Sequence, residues 1–217
     1  MKKNMSMSRR MLVQSLAMAT AGIGLAQFVS AKELVFNKSD SKGIAPLLPF
    51  YLPPREPLQP GPGGIDIRTW VRSSKTNRQF SCVETAVASR TMGPAPHVHK
   101  DLDELMFVLE GTATVIVDGK VEEIEAGGWH FRPRKLEHTF WNGSEKPLRF
   151  IDMYFNQNFE DFLEELFHKI LPDMIKNNLT MKDLEIEKRL KNLDARFGVT
   201  TFSEKRQPII DKYGLKG

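Results

Sequence analysis

The sequence of 217 residues, 41% of them hydrophobic and 27% charged, is long enough for one well-cored domain with some added structure, but two full domains would be tight. Of its 31 lysines and arginines, four lie within residues 1–31, which contain no acidic residue, so 27 remain to balance the 27 aspartates and glutamates. The net charge of +4 therefore belongs to the first residues, and it does not imply a nucleic-acid partner.

Residues 1–31 have the pattern of an export signal peptide. Arg9 and Arg10 precede about 20 mostly apolar, small residues, and the segment ends in a small-residue cleavage site at Ala31. The arginine pair resembles a twin-arginine signal, which predicts the twin-arginine export machinery as a partner and a periplasmic or secreted bacterial location. A plain secretory signal or an uncut anchor is the alternative. The run is rich in Ala and Gly, however, which argues against a lasting membrane span.

Residues 32–64 begin polar and become proline-rich, with seven prolines among the twenty residues from Ala45 to Gly64. Such a segment cannot form a helix or a central strand, so an extended arm is expected. The arm is predicted to cross the domain or a partner subunit, and a mobile linker is the alternative.

Residues 65–156 change to short alternating or apolar runs separated by turn residues, which is typical of an antiparallel barrel or sandwich. The dipeptide Asp118-Gly119 lies between two such runs and predicts a two-residue hairpin. Cys82, the only cysteine, lies in one of the predicted strands and excludes an intrachain disulfide. It is interpreted as a small apolar residue of that strand and not as a nucleophile.

Residues 157–217 switch to a helical period. Apolar residues recur on one face from Phe159 to Ile170, and Pro172 is expected to end or break that helix. Thr180 is predicted to cap a second helix that stops at Gly198.

A last short helical turn is predicted at 208–213. The whole extension is expected to pack its apolar face on the barrel or on a second subunit. A lid over the barrel mouth is the alternative.

The stretch GPAPHVHKDLDELMFVLEG contains a candidate metal site. His97 and His99 are separated by one residue, so on a strand both rings point to the same face. If the polar KDLD segment is a turn, Glu104 can face the pair from a neighbouring strand. Two exposed histidines without a metal would be the ordinary alternative.

A second stretch, GGWHFRPRKLEHTFWN, places Gly127, Pro133, His138 and Asn142 at fixed spacing. Together the two stretches resemble the two conserved motifs of the cupin superfamily, in particular single-domain, quercetinase-like type-2 cupins. Two departures stand out. Gly93 is separated from His97 by three residues instead of the usual five, and Lys135 occupies a position where the family usually has glycine. A side chain there should strain a turn of positive φ by about 1 kcal/mol.

The resemblance implies an all-β double-stranded β-helix, the jelly-roll cupin barrel, with a C-terminal helical extension. It also implies that His97, His99, Glu104 and His138 converge on one divalent transition metal. Mn, Fe, Ni, Co, Cu and Zn all accept this ligand set, and no other cofactor is expected. Three neutral imidazoles and one carboxylate leave such an ion with open positions, which suits substrate or dioxygen binding.

The leading functional hypothesis is a dioxygenase-type oxidoreductase acting on a small enolic or phenolic substrate, with Glu104 as the catalytic base. Strand alternation from the ligands predicts that Met106, Phe131 and Phe140, along with Val108, line the barrel and bind substrate. The alternative is a non-catalytic periplasmic cupin that binds a sugar or an organic acid through the metal and Arg132 or Arg134. Cupins of this kind often dimerise, so the arm favours a homodimer.

Two histidines lie outside the motifs. His130 alternates with Trp129 and Phe131 in a predicted strand, and it either supports the metal site or is an ordinary core or surface histidine. His168 falls in the helical extension and is expected to be solvated.

Overall fold

The structure is a computed structural model, and it describes residues 46–217. The predicted export signal therefore lies outside the described residues, as does the polar segment that follows it. Residues 46–61 run without helix or strand, as their prolines require. The apolar side chains of this arm are exposed, with Leu48 at 77% and Tyr51 at 80%.

Within residues 46–217, eleven strands form two antiparallel sheets that face each other as a jelly-roll barrel, which confirms the predicted fold class. The first sheet has the order β1-β2-β10-β5-β8, and the second has the order β11-β4-β9-β6-β7, with β3 paired to β9. The strands are β1 Ile65–Val71, β2 Phe80–Val87, β3 Thr91–Met92, β4 His97–His99, β5 Asp103–Glu110, β6 Thr112–Val117, β7 Lys120–Glu125, β8 Trp129–Arg132, β9 His138–Asn142, β10 Leu148–Phe155 and β11 Val199–Thr201.

The interior of the barrel follows from the two-residue period of its strands. In β10 every second residue from Leu148 to Tyr154 is buried, and the residues between them are only partly buried. The inward residues of both sheets form an apolar core between them, consisting of Val87, Met106, Val108, Ala113, Val115, Ile124, Leu148 and Phe150.

The hairpin between β6 and β7 turns at Asp118 and Gly119, which have φ angles of 48° and 79°. Val117 pairs with Lys120 across the turn. Two consecutive positive φ values are what a two-residue type I′ hairpin requires, so the prediction from the Asp-Gly dipeptide is confirmed.

The C-terminal extension consists of helices and one strand. Its elements are α1 Phe159–Glu165, a π-helical turn Leu166–Ile170, α2 Leu171–Lys176, α3 Leu184–Phe197, the strand β11, a 3₁₀ turn Ser203–Lys205 and α4 Arg206–Tyr213. Gly198 ends α3 and Gly214 ends α4, both in the left-handed conformation at a φ of 62°. Among residues 46–217 no helix is both long and apolar enough to cross a membrane.

The first helix does not end at Pro172, but its regular α-helical pattern is broken by the π-helical turn directly before the proline, so of the two predicted outcomes the break is the one observed. The helical path continues through Pro172 to Lys176, with the proline in the first turn of α2. A proline lacks the N–H that would bond to the preceding turn, and the wide π-helical turn directly before it changes the bonding pattern at that point. Thr180 also does not begin the second helix. It bonds to the carboxylate of Asp183, and α3 starts after Asp183.

The extension packs on the barrel, which is the packing that the apolar period predicts. Side chains of α1, α2, α3 and the π-helical turn form one buried cluster with barrel residues, comprising Ile67, Val83, Leu102, Tyr154, Phe159, Phe162, Ile170, Met174, Ile186, Leu193 and Phe197. A second, smaller cluster joins α4 to the outer face of the second sheet, where Tyr213 lies 4.6 Å from Trp141 between ring centroids.

The two departures from the expected motifs have different structural outcomes. Gly93 approaches β9 so closely that a Cβ there would lie 2.3 Å from the carbonyl oxygen of Phe140. Lys135 has a φ of 69°, and its N–H donates to the carbonyl of His99 at 2.8 Å. The turn therefore holds a side chain in the left-handed region, as predicted.

This geometry predicts that Lys135→Gly is more stable than Lys135→Ala by about 1 kcal/mol, because only glycine adopts this φ without steric strain. Equilibrium urea unfolding of both variants measures the difference. The alanine variant controls for loss of the lysine side chain, and equal stability of the two variants would contradict strain at this turn.

Candidate metal centre

Four side chains from both sheets converge inside the barrel. His97 and His99 lie on β4, His138 lies directly across from His97 on β9, and Glu104 lies on β5 of the opposite sheet. Their nearest ligand atoms all lie within 4.8 Å of one another. Glu104 thus faces the histidines across the barrel and not from a neighbouring strand, because the turn after His99 carries the chain from one sheet to the other.

The histidine rings are oriented with Nε2 toward the carboxylate. The Nδ1–H of His97 donates to the Ala95 carbonyl at 2.9 Å, and that of His138 donates to the Leu136 carbonyl at 3.0 Å. The Nε2 atoms of His99 and His138 lie 3.3 and 3.0 Å from Glu104, yet neither has a hydrogen-bond partner among the described residues. Buried nitrogens left in this way fit a metal ion, so the cluster can hold one.

The protonation states also suit a metal. Burial keeps the pKa of His97 well below its usual value, and the neighbouring His138 and His99 act in the same direction. Burial alone would raise the pKa of Glu104, but Arg132 and His138 outweigh it and hold that pKa well below its usual value. A neutral imidazole at His97 and an ionised carboxylate at Glu104 are the forms that bind a divalent cation.

A buried polar network adjoins the ligands. The Nε of Arg132 lies 2.8 Å from Glu104, and its Nη2 donates to Asp152 at 2.5 Å. The hydroxyl of Tyr154 donates to the other oxygen of Asp152 at 3.3 Å. Arg132 is 1% exposed, and its Nη1 has no hydrogen-bond partner in the part of the chain that the structure describes. A buried donor is therefore left over on the residue that contacts Glu104.

Sequence reasoning missed Asp152 and Tyr154 and named Arg132 only as one of two alternatives. The available signal was alternation, since Asp152 and Tyr154 share the inward parity of β10 with the core residue Phe150. The other alternative, Arg134, is bound to Asp103 near the surface and lies outside the network.

The predicted substrate-binding residues fall into two groups. Met106 and Phe140 face the interior as expected, although both are packed in the core, and their role in substrate binding stays a prediction. Phe131 does not line the barrel. It is 54% exposed, because β8 pairs with β5 in a register that places Glu104 opposite Arg132. The inward residues of β8 are therefore Arg132 and His130.

The remaining candidates lie outside the ligand cluster. The Nε2 of His130 lies 3.1 Å from Glu122, and its Nδ1 is buried without a partner among residues 46–217. His168 is about half exposed, 3.6 Å from Asp66. Burial raises the pKa of Cys82 to about 11, so this thiol is a poor nucleophile at neutral pH.

The surroundings of the cluster are tightly packed. The ring of Phe159 from α1 meets His99 edge-on, with 4.9 Å between ring centroids. A cavity of about 700 Å³ lies beside β7 and is lined by Glu122 and His130, and one of about 320 Å³ lies under α4 and is lined by His138. Neither is lined by the other three ligand residues.

Arg132→Met should lower the free energy of unfolding of the metal-free protein by about 3–5 kcal/mol, because the buried carboxylates of Glu104 and Asp152 lose their shared cation. Arg134→Met is the control. Its pair with Asp103 is partly exposed, and a much smaller loss is expected. Urea unfolding measures both losses. Equal losses would show that the buried network contributes no more to stability than the partly exposed pair.

The barrel is similar to known protein domains. The cupin domain family model matches residues 84–154. No curated protein matches the chain. Among solved structures, KdgF from Halomonas sp. is 18% identical, with 45% of this chain and 84% of that chain covered and a TM-score of 0.41. The polyketide cyclase RemF from Streptomyces resistomycificus is 25% identical, with 46% and 70% covered and a TM-score of 0.39.

A third similar structure is an RmlC-like cupin from Shewanella frigidimarina NCIMB 400, which is 24% identical, with 46% of this chain and 82% of that chain covered and a TM-score of 0.38. These likenesses decide nothing about activity. The family match covers about a third of the chain, and the jelly-roll fold and the buried His/Glu cluster of the same region agree with a cupin domain.

Proposed function

We propose that this protein is a metal-dependent cupin, an oxidoreductase of the dioxygenase type that acts on a small enolic or phenolic substrate. The observation that carries the proposal is the buried set of His97, His99, Glu104 and His138, with two Nε2 atoms left without hydrogen-bond partners among the described residues. The bound ion would be Mn, Fe, Ni, Co, Cu or Zn, and it would polarise a substrate oxygen.

Arg132 is suited to orient the substrate. Its unpartnered Nη1 is a buried cationic donor on the same strand face as the ligand cluster, so an anionic oxygen can satisfy it. An enolate, a phenolate or a carboxylate supplies such an oxygen. The cation thus favours a substrate that binds in its ionised form.

Proton transfer is proposed for the acidic side chains beside Arg132. Glu104 is the proposed base, but Arg132 holds its pKa low, so it accepts a proton weakly while that contact lasts. Burial raises the pKa of Asp152, so this carboxylate can hold the proton that Glu104 passes on. Asp152 also accepts a hydrogen bond from the hydroxyl of Tyr154, so a proton can be held at the Asp152 carboxylate within the barrel.

The alternative function is a non-catalytic binding protein for an organic acid. The same buried Nη1 donor favours it, because a carboxylate pairs with an arginine without any chemistry. The proposal further includes export to the periplasm and a homodimer. The exposed apolar side chains of the arm, such as Leu48 and Tyr51, support a partner surface.

Elemental analysis after native export tests the metal. We expect about one transition-metal ion per chain in the wild type and loss of that ion in His97→Ala, because three of four ligands hold an ion less tightly. His168→Ala is the matched control, since this histidine lies on the extension away from the cluster. A metal content that is absent, or unchanged by His97→Ala, would exclude the proposed site.

Oxygen uptake by the metal-loaded protein tests the reaction. Enediol and phenolic substrates should be consumed with dioxygen, and Glu104→Gln should slow uptake at least about 100-fold through loss of the base. Metal content is measured in the same samples, so that loss of the ion is separated from loss of the base. Saturable binding of organic acids without oxygen uptake would instead support the binding protein.

A further inference from the structure

The C-terminal extension supplies the strand that flanks the two histidines of β4. Within the described chain, β4 pairs with β9 only where His97 meets His138. Along its other edge it pairs over its full length with β11, in the register Val199↔His99, Thr200↔Val98 and Thr201↔His97. The ligand-bearing strand therefore depends on the extension for most of its ladder.

Bonds beyond both ends of this pairing lock the same register. The N–H of Lys100 donates to Gly198 at 2.9 Å, and that of Phe202 donates to Pro96 at 2.8 Å. Antiparallel bonds alternate, so Thr200 lies at the bonded position between them and donates its N–H to β4. The side chain of Thr200 is exposed, which leaves its backbone as its contribution.

The extension also surrounds the ring of His99. Phe159 packs against it, and Phe197 of α3 contacts Phe159 in turn. The Nδ1 of His99 has no hydrogen-bond partner within residues 46–217, in contrast to the Nδ1 atoms of His97 and His138. Of the three rings, His99 is thus the one whose orientation the barrel does not fix.

A carboxylate on α3 anchors β11. Asp194 accepts a hydrogen bond from the hydroxyl of Thr201 at 2.9 Å, and Thr201 pairs with His97. The strand that flanks the two histidines is therefore tied to α3 by a side-chain bond as well as to β4 by its backbone.

We propose that the C-terminal extension is a structural part of the metal centre, in which β11 holds His97 and His99 in place and Phe159 packs the ring of His99. The inference rests on the proposed metal-dependent function. It differs from the lid expected as the alternative from the sequence, because a lid that swings open would break the β4–β11 ladder. Damage to the extension should therefore weaken metal binding itself.

The test is a titration of the metal-free, full-length protein with Co²⁺, followed by its visible absorption. Thr200→Pro removes the ladder N–H, and Thr200→Ala removes the exposed side chain while it keeps that N–H. We expect Thr200→Pro to weaken Co²⁺ binding at least about tenfold and to change the absorption spectrum, while Thr200→Ala binds like the wild type. Far-UV circular dichroism confirms that each variant is folded.

A second pair of variants covers the case in which the proline variant does not fold. Phe159→Leu should weaken Co²⁺ binding about tenfold, because it removes the ring that packs on His99. Phe162→Leu, which removes a ring stacked on Phe159 in the same cluster, is the control and should leave Co²⁺ binding unchanged. Wild-type affinity in folded Thr200→Pro, or in Phe159→Leu, would overturn the corresponding part of the inference. Failure of the wild type to bind Co²⁺ would instead overturn the proposed function, and this inference with it.

Discussion

The burial of the Glu104 carboxylate is the constraint on which the rest of the site depends. A carboxylate 5% exposed inside an apolar barrel is costly unless charges and donors compensate for it. Arg132 compensates from one side, and the Nε2 atoms of His99 and His138 approach from the other. Because Arg132 is itself buried, its charge must be balanced by a second carboxylate, that of Asp152. The buried ligand Glu104 is thus accompanied by a chain of buried charges.

Strand geometry makes this chain possible. β5, β8 and β10 are neighbours in one sheet, and their period of two places Glu104, Arg132 and Asp152 on the same inward face. A shift of one residue in any of these strands would send its charge to the outer face. The register that buries Arg132 is also the register that exposes Phe131.

The parts that could be predicted from the sequence are those determined by local spacing. The His-x-His pair, the Asp118-Gly119 turn and the positive φ at Lys135 all follow from a few consecutive residues. Strand register does not follow from local spacing. Strand alternation counted from the ligands therefore predicts the wrong face for Phe131. The pairing of β11 with β4 joins residues about a hundred positions apart in the sequence, and no local sequence pattern predicts it. The same holds for the π-helical turn that lets a helix pass Pro172.

The charge balance of the site also bears on which small molecule it would bind. Asp152 and Arg132 neutralise each other, so a divalent ion held by Glu104 and by three imidazoles in their neutral, metal-binding form would leave one unbalanced positive charge inside the barrel. Burying a net charge is unfavourable, and a bound monoanion removes it. A neutral sugar would leave the charge uncompensated and the Nη1 of Arg132 without a strong acceptor. With the proposed ion bound, the electrostatics of the barrel would therefore favour an enolate, a phenolate or an organic acid over a sugar, whether or not the bound molecule then reacts.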